Sequence, residues 1–540
     1  MFAREDRLVR FNLYVSFIAV FLGGVFGLLQ ALERAPAVKL TIPMFSYYQA
    51  LTAHGVLQAL VFTTFFIIGF LLFGVTRTLN RPLHSIWLGW LGFILMLVGT
   101  ATIAVTILAN KATVLYTFYA PLQAHPAFYI GATVLVVGTW VVAVEVFLTY
   151  RLWRRANREA RIPLVTYGTM VTLILWLIAT LGVAVLMLGM LIPWSLGWVD
   201  TVDPLLARLF FWYFGHPLVY FWLLPAYIVW YTVMPRLAGG KLFSDPLARL
   251  SFILLLVFST PVGLHHQFMD PGISTGWKYL QTLTTFVVIF PSLITAFTLT
   301  ASLEHAGRAR GGKGLLGWVV KLPWGEPAFA AMALSMVLFA FGGASGIVNA
   351  SYSLDTVVHN TAWLVGHFHL TVGTAVALTF MGSTYWLLPA VSGRQLRWRH
   401  LATAQAYLWF TGMIVFSSNM MLAGVLGSPR RTADVTYGGS DVAASWVPHI
   451  NAAAVGGSLM FVSILAFAAV VLGTLLSPKK EEGVFPLAEA LSGPENAPRL
   501  LDRWWPWVVV AILLIVAAYA GPVAELIGSP ASGSPGFSPW

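Results

Sequence analysis

The chain has 540 residues, of which 58% are hydrophobic and 9% charged, and its mean hydropathy is +0.80. This balance excludes a soluble globular domain and a disordered chain, and points to an all-α, polytopic membrane protein. The net charge is +11 and there is no cysteine, which excludes disulfides, iron–sulfur clusters, thiolate-ligated or C-x-x-C-H-linked haem and a cysteine-bridged copper pair within this chain.

Apolar runs long enough to cross hydrocarbon, at about 20 residues each, lie at 11–33, 49–76, 84–110, 125–150, 164–194, 204–235, 247–270, 280–302, 327–349, 357–388, 400–425, 446–476 and 501–527. The expected architecture is a bundle of about 13 transmembrane helices forming one domain over 1–540. The run behind the charged N-terminus MFAREDRLVR is too long for a signal-peptide core, so it reads as retained. About 24 of the 31 Lys and Arg fall at the N-terminus or near the loops after even-numbered spans, as at Arg151, Arg154, Arg155, Arg158 and Arg161. This pattern places the N-terminus in the cytoplasm and the C-terminus outside. It makes the bilayer, not nucleic acid, the partner of the positive charge. The longest polar stretches are 302–325, 425–446 and 477–500, and the C-terminal GSPASGSPGFSPW reads as a flexible tail.

Six histidines lie on these apolar runs, where ionisable side chains are expensive and mark functional sites. His54 (LTAHGVLQAL) comes early in the second run, with Gly55 beside it to admit a bulky planar group. His216 and Tyr220 (FGHPLVY) are four residues apart, which puts a phenol on the same helix face as the imidazole. His265 and His266 follow Pro261 and Gly263. Adjacent helical residues diverge by about 100°, so convergence on one metal requires a distorted helix end. His367 and His369 (GHFHL) point about 200° apart, so one helix could offer a ligand to two metals, one on each flank. Given the topology, all six sit in the outer half of the membrane. Single histidines of this kind are often core residues; six in one layer indicate a buried redox-metal centre. His84, His305 and His400 read as solvated loop residues, and His125 and His449 as boundary residues.

The motifs AHG at 53–55, GHPLVY at 215–220, HH at 265–266 and GHFHL at 366–370, in this order, resemble subunit I of the haem–copper terminal oxidases, most closely the B-family cytochrome c oxidases. The resemblance spans nearly the full length. It implies that His54 and His369 are axial ligands of a low-spin haem of b type, and that His367 is the proximal ligand of a high-spin haem of a type. It assigns His216, His265 and His266 to one copper ion, and Tyr220 to the tyrosine that family members crosslink to the first copper histidine. The implied reaction is four-electron reduction of O2 to water with proton pumping. Electrons would come from cytochrome c through a dicopper centre in subunit II, with a small accessory helix subunit as a further partner. The implied location is the cell membrane of a prokaryote.

Leu218 stands where members using the D path carry glutamate, so that route is expected to be missing. Tyr220, Tyr227 and Tyr231 line one helix face toward the inner side, Ser292 and Thr295 do the same on the eighth run, and Ser244 lies near the inner mouth. The set matches the family's K-type proton path; singly, such hydroxyls commonly bond within their own helix. Arg430 and Arg431 are placed to neutralise haem propionates. Asp355, His359 and Asn360 resemble the proton exit near the high-spin haem, with Tyr116 in the same neighbourhood. Phe214 is a bulky residue where some relatives have a small polar one. The competing readings are a nitric oxide reductase, which would carry iron for copper and lack the tyrosine, and a quinol oxidase, which differs in its donor. A non-catalytic haem-binding transporter or sensor would leave the copper-type trio and Tyr220 unexplained.

Overall fold

In a computed structural model, which describes residues 2–40, 44–481 and 483–539, thirteen helices among the described residues are long and apolar enough to cross a membrane. They run Ala3–Arg34, Tyr47–Thr78, Ile86–Leu108, Pro126–Ala156, Leu164–Ser195, Pro204–Leu237, Asp245–Gln267, Thr275–Ala309, Pro327–Ala350, Ala362–Ser392, Arg399–Val425, Val447–Leu475 and Trp504–Gly528. Each expected run falls on one of them. Several extend further, because polar residues such as Arg4, Glu5, Asp6 and Arg7 continue the first helix past its apolar stretch.

The sixth span is the centre of the bundle: 89% of its apolar window is buried, against 22% in the thirteenth. The third and fourth spans touch backbone to backbone, since a Cβ on Gly99 would stand 2.5 Å from Gly131 O and one on Gly138 2.7 Å from Gly92 O.

Three departures from regular helix shape the interior. In the second and tenth spans the helix widens to π geometry over Val56–Phe62 and His369–Val376, directly beside His54 and at His369. Such widening frees carbonyls and recurs at functional sites. Here Trp409 Nε1 donates to the carbonyl of Gly373 at 2.9 Å. In the seventh span the regular helix stops at Ser259, and His265 and His266 ride on a single 3-10 turn, Leu264–Gln267. Gly263 is required there: a Cβ would lie 2.5 Å from both Trp212 O and Tyr519 Oη. The eighth span breaks at Val288 into Thr275–Val287 and Ile289–Ala309.

With thirteen spans the two termini lie on opposite faces. On the C-terminal face the tail is not free, in contrast to the expectation from its composition. Ser534–Pro535 pairs antiparallel with Thr201–Val202, Phe537 exchanges main-chain hydrogen bonds with Pro121 and Gln123, and Ala531 N donates to Asp203. Main-chain pairing overrides the Gly/Ser/Pro bias.

On the N-terminal face, Arg249 is fully buried and donates to Asp245 at 2.5 Å, to Asp502 at 2.9 Å and to Ile162 O at 2.6 Å. Asp502 also accepts from Arg161 at 2.8 Å, which ties the start of the last span to the bundle. Breaking a buried pair leaves a stranded charge, at a cost of about 3–5 kcal/mol. Asp502→Ala is therefore expected to lower the thermal inactivation temperature of the purified complex, with Asp502→Glu closer to wild type. An unchanged inactivation temperature for Asp502→Ala would contradict this role.

Candidate metal centres

The six histidines occupy one layer. His54, His367 and His369 sit within about two helical turns of the C-terminal face, His265 and His266 lie where the seventh span reaches it, and His216 is about a turn deeper.

His54 and His369 form the first pair. Their rings are parallel to within 7° with centroids 6.2 Å apart, which leaves room for two metal–nitrogen bonds of about 2 Å on opposite sides of one ion. His54 Nδ1 contacts Gly23 O at 2.8 Å and His369 Nδ1 contacts Val365 O at 2.8 Å. A carbonyl only accepts, so each Nδ1 carries the proton and each Nε2 keeps a free lone pair. Both rings line a large cavity shared with Gly24, Gly27, Met413 and Phe416. The glycine that makes room at His54 is Gly27, where a Cβ would come within 2.7 Å of the ring. Gly55, expected to admit a bulky planar group, lines the same cavity, and a Cβ there would stand 2.8 Å from Tyr116.

His216, His265 and His266 form the second group, with their ligand atoms all within 4.8 Å of one another. The turn at Leu264–Gln267 is the distortion that adjacent histidines need in order to converge. Nε2 of His216 and Nε2 of His266 are buried without a partner, a costly state unless a ligand is bound. Thr285 donates to Gln281 O at 2.6 Å, so its oxygen accepts from His265 Nδ1 at 3.1 Å. Trp212 stacks on His266, with centroids 3.9 Å apart and planes 8° from parallel. Tyr220 lies 5.1 Å from His216, ring to ring. Three imidazoles with no carboxylate among them suit copper.

His367 turns to this second group. It lies within electrostatic range of His216, His265 and His266, whereas the His369 ring faces His54. Its Nδ1 is held by Gly342 O at 3.1 Å and Ser345 Oγ at 2.9 Å, again leaving Nε2 free. One span thus serves two neighbourhoods. Phe214 is buried against Trp176, 5.8 Å away.

At the rim, Arg34, Arg430, Arg431 and Tyr116 line the His54–His369 cavity. Arg34 Nε and Arg431 Nη2 are buried without partners, which fits anionic substituents of a bound group. Arg430 donates to Asn360 Oδ1 at 2.6 Å, and His359 Nδ1 meets Asp355 Oδ2 at 2.7 Å. Burial, with the neighbouring Arg431 charge, lowers the pKa of Arg430 to about 10. Burial also raises the Asp355 carboxyl above its ordinary range, against the opposing hydrogen bond from His359 and the charge of Arg430.

Toward the N-terminal face, Tyr231 Oη donates to Thr295 Oγ1 at 2.6 Å, and Thr295 meets Ser251 Oγ at 2.8 Å. Tyr227 Oη faces Ser292 and Thr295 without closing a hydrogen bond to either. Ser292 bonds back to Val288 O at 3.3 Å. Ser244 stands apart from this chain of hydroxyls, capping the seventh span by accepting from Leu247 N at 3.3 Å.

Sequence reasoning did not single out Arg34, Trp212, Ser251, Thr285 or Ser345. Trp212 lies four residues before His216, so helical spacing alone could have found it. Thr285 and Ser345 act across spans and leave no such local signal.

The family model described as cytochrome c and quinol oxidase polypeptide I matches residues 7–459. Cytochrome c oxidase subunit 1 of Thermus thermophilus is 46% identical over 553 aligned positions, covering 99% of this chain and 97% of that one. Quinol oxidase subunit 1 of Bacillus subtilis is 25% identical over 467 positions, covering 83% of this chain and 68% of that one. A cryo-EM structure of a heme-copper terminal oxidase dimer matches with a TM-score of 0.94 at 40% identity, covering 99% of this chain and 95% of that one. With the matching motifs in order, the paired imidazoles and the imidazole trio on one fold, the chain belongs to the cytochrome c and quinol oxidase polypeptide I family of haem–copper oxidases.

Proposed function

We propose that this chain is the catalytic subunit of a proton-pumping cytochrome c oxidase that reduces O2 to water. The observation that carries the reading is the trio His216, His265 and His266, with two orphaned Nε2 atoms, beside Tyr220 and His367. In this reading His54 and His369 hold a low-spin haem of b type, His367 a high-spin haem of a type, and the trio one copper ion. Bound there, these groups supply electrons and a place for O2 between two metals.

The chain's own residues do the rest. His54 and His369 would hold the low-spin haem between their parallel rings, where it would supply electrons. His367, its Nδ1 held by Gly342 O and Ser345 Oγ, would hold the high-spin haem through its free Nε2. Tyr220 holds a phenolic proton beside His216, where oxygen chemistry needs one. Leu218, Phe214 and Trp176 are buried and apolar and exclude water from around the trio. Tyr227 and the chain of Tyr231, Thr295 and Ser251 carry protons from the N-terminal face, with Ser292 beside them and Ser244 at the mouth. Arg34, Arg430 and Arg431 bind the haem propionates near Tyr116. Asp355, His359 and Asn360 form the proton exit.

Such a subunit I works with a subunit II. Because this chain has no cysteine, we place the dicopper centre on that partner, with cytochrome c as the electron donor and a small accessory helix as a third subunit. The N-terminus faces the cytoplasm and the C-terminus the outside of a prokaryotic cell membrane, a reading that the distribution of Lys and Arg supports.

Two substitutions test the reading. His266→Asn is expected to remove copper and bring O2 consumption from reduced cytochrome c to background, while the low-spin haem spectrum persists. Retained O2 consumption in that variant would overturn the copper assignment. Tyr220→Phe removes one proton donor without touching a metal ligand, so turnover should fall by roughly 10²–10⁴ at unchanged metal content. Wild-type turnover in Tyr220→Phe would remove the phenol from the mechanism.

A further inference from the structure

The segment between the eighth and ninth spans lies on the N-terminal face, and its composition reads as a polar loop. From His305 to Gly325 it carries Arg308, Arg310, Lys313 and Lys321 and neither Asp nor Glu. Its middle nevertheless turns three large apolar side chains outward: Leu315 is 85% exposed, Leu316 68% and Val320 78%. In water that exposure is unfavourable, and an apolar patch rimmed by charge marks a binding surface.

The segment holds this patch in place. The one-turn helix Gly317–Val320 lies against the end of the eighth span, where Gly307 and Gly312 leave no space for a Cβ beside the Trp318 backbone. Trp318 Nε1 and Trp324 Nε1 donate back into the segment, to Leu315 O and Val319 O, both at 2.8 Å. Tyr407 and Thr403 of the eleventh span donate to Trp324 O at 3.2 Å and Gly325 O at 3.1 Å, and Trp324 packs edge-on against Phe329 of the ninth. The segment is therefore pinned to the ends of three spans. Its charges divide into two kinds. Arg308 pairs with Glu304, and Arg310 donates to Ala238 O at 2.8 Å. Lys313 and Lys321 flank the apolar trio, are exposed, and make no hydrogen bond or ion pair among the described residues.

We propose that residues 313–321 are an interfacial anchor for anionic phospholipid. Leu315, Leu316 and Val320 enter the acyl boundary of the leaflet at the N-terminal face, while Lys313 and Lys321 reach the headgroup phosphates on either side. Charge complementarity selects this occupant: two unpaired cations around an apolar trio, at the ends of membrane spans, match negative headgroups above acyl chains. Lysine suits the boundary, because its stem lies along apolar surface while the ammonium stays at the phosphate. The partner is the lipid surface and not a free phosphate, since an ion in water would leave the trio uncovered.

The chain has no native cysteine, so a single reporter can be placed on the patch. Leu316→Cys in the intact complex, carrying a nitroxide label, is reconstituted in vesicles of phosphatidylcholine alone or mixed with phosphatidylglycerol. The unsubstituted complex, treated alike, corrects for thiols on other subunits. In the mixed vesicles the label is expected to relax more with membrane-dissolved O2 than with a water-soluble nickel chelate. Adding Lys313→Glu and Lys321→Glu is expected to reverse that order while the haem spectra stay those of wild type. A label that favours the nickel chelate in mixed vesicles would overturn the anchor. A label shielded from both relaxants would also overturn it, by showing protein on the patch. Equal depth in both lipids, unmoved by the lysine substitutions, would overturn the assignment of anionic headgroups.

Discussion

An imidazole inside a membrane bundle has two ring nitrogens to satisfy, and for His54, His265, His367 and His369 the bundle supplies an acceptor to Nδ1 alone. Gly23 O, Thr285 Oγ1, Gly342 O and Val365 O fix ring orientation and tautomer together, which leaves a basic nitrogen in a medium that offers it nothing else. In His216 and His266 the orphaned Nε2 atoms express the same imbalance. A low-dielectric interior makes that imbalance expensive, and metal coordination would resolve it. The acceptors that orient these histidines belong to the helices themselves.

The fold bends to provide those acceptors. The π-helical stretches beside His54 and at His369, the end of regular helix at Ser259 and the glycine at position 263 fall in spans that carry the candidate ligand histidines. The third and fourth spans, which carry none of these histidines, are regular and are held by glycine contacts. The same economy appears at the two faces. The C-terminal tail lies across the loop that carries Tyr116, and the Arg249–Asp245–Asp502 cluster locks the last span at the opposite face. Rigidity at both faces serves a reaction in which misplaced protons and water are costly.

Much of this was legible in the sequence because it rests on local periodicity. Hydropathy located all thirteen spans, the i,i+4 spacing of His216 and Tyr220 foretold a shared neighbourhood, and the i,i+2 spacing of His367 and His369 foretold two separate ones. What stayed hidden depends on contacts between distant segments. Thr285 and Ser345 reach histidines 20 and 22 residues away. Ser251 joins Thr295 across 44 residues. Gly27, from another span, makes room for the His54 ring and leaves no signal in the sequence around that histidine. The tail was misread because composition does not register main-chain pairing with Thr201–Val202.

The central claim is that the two histidine neighbourhoods bind different groups, a haem between His54 and His369 and a haem–copper pair at His367 and the trio. Iron, copper and haem content of the purified complex, normalised to this chain, tests it most directly. The account requires two irons, both as haem, and at least one copper, with further copper only if the dicopper partner co-purifies. Three irons without copper, or a complex with neither metal, would contradict it.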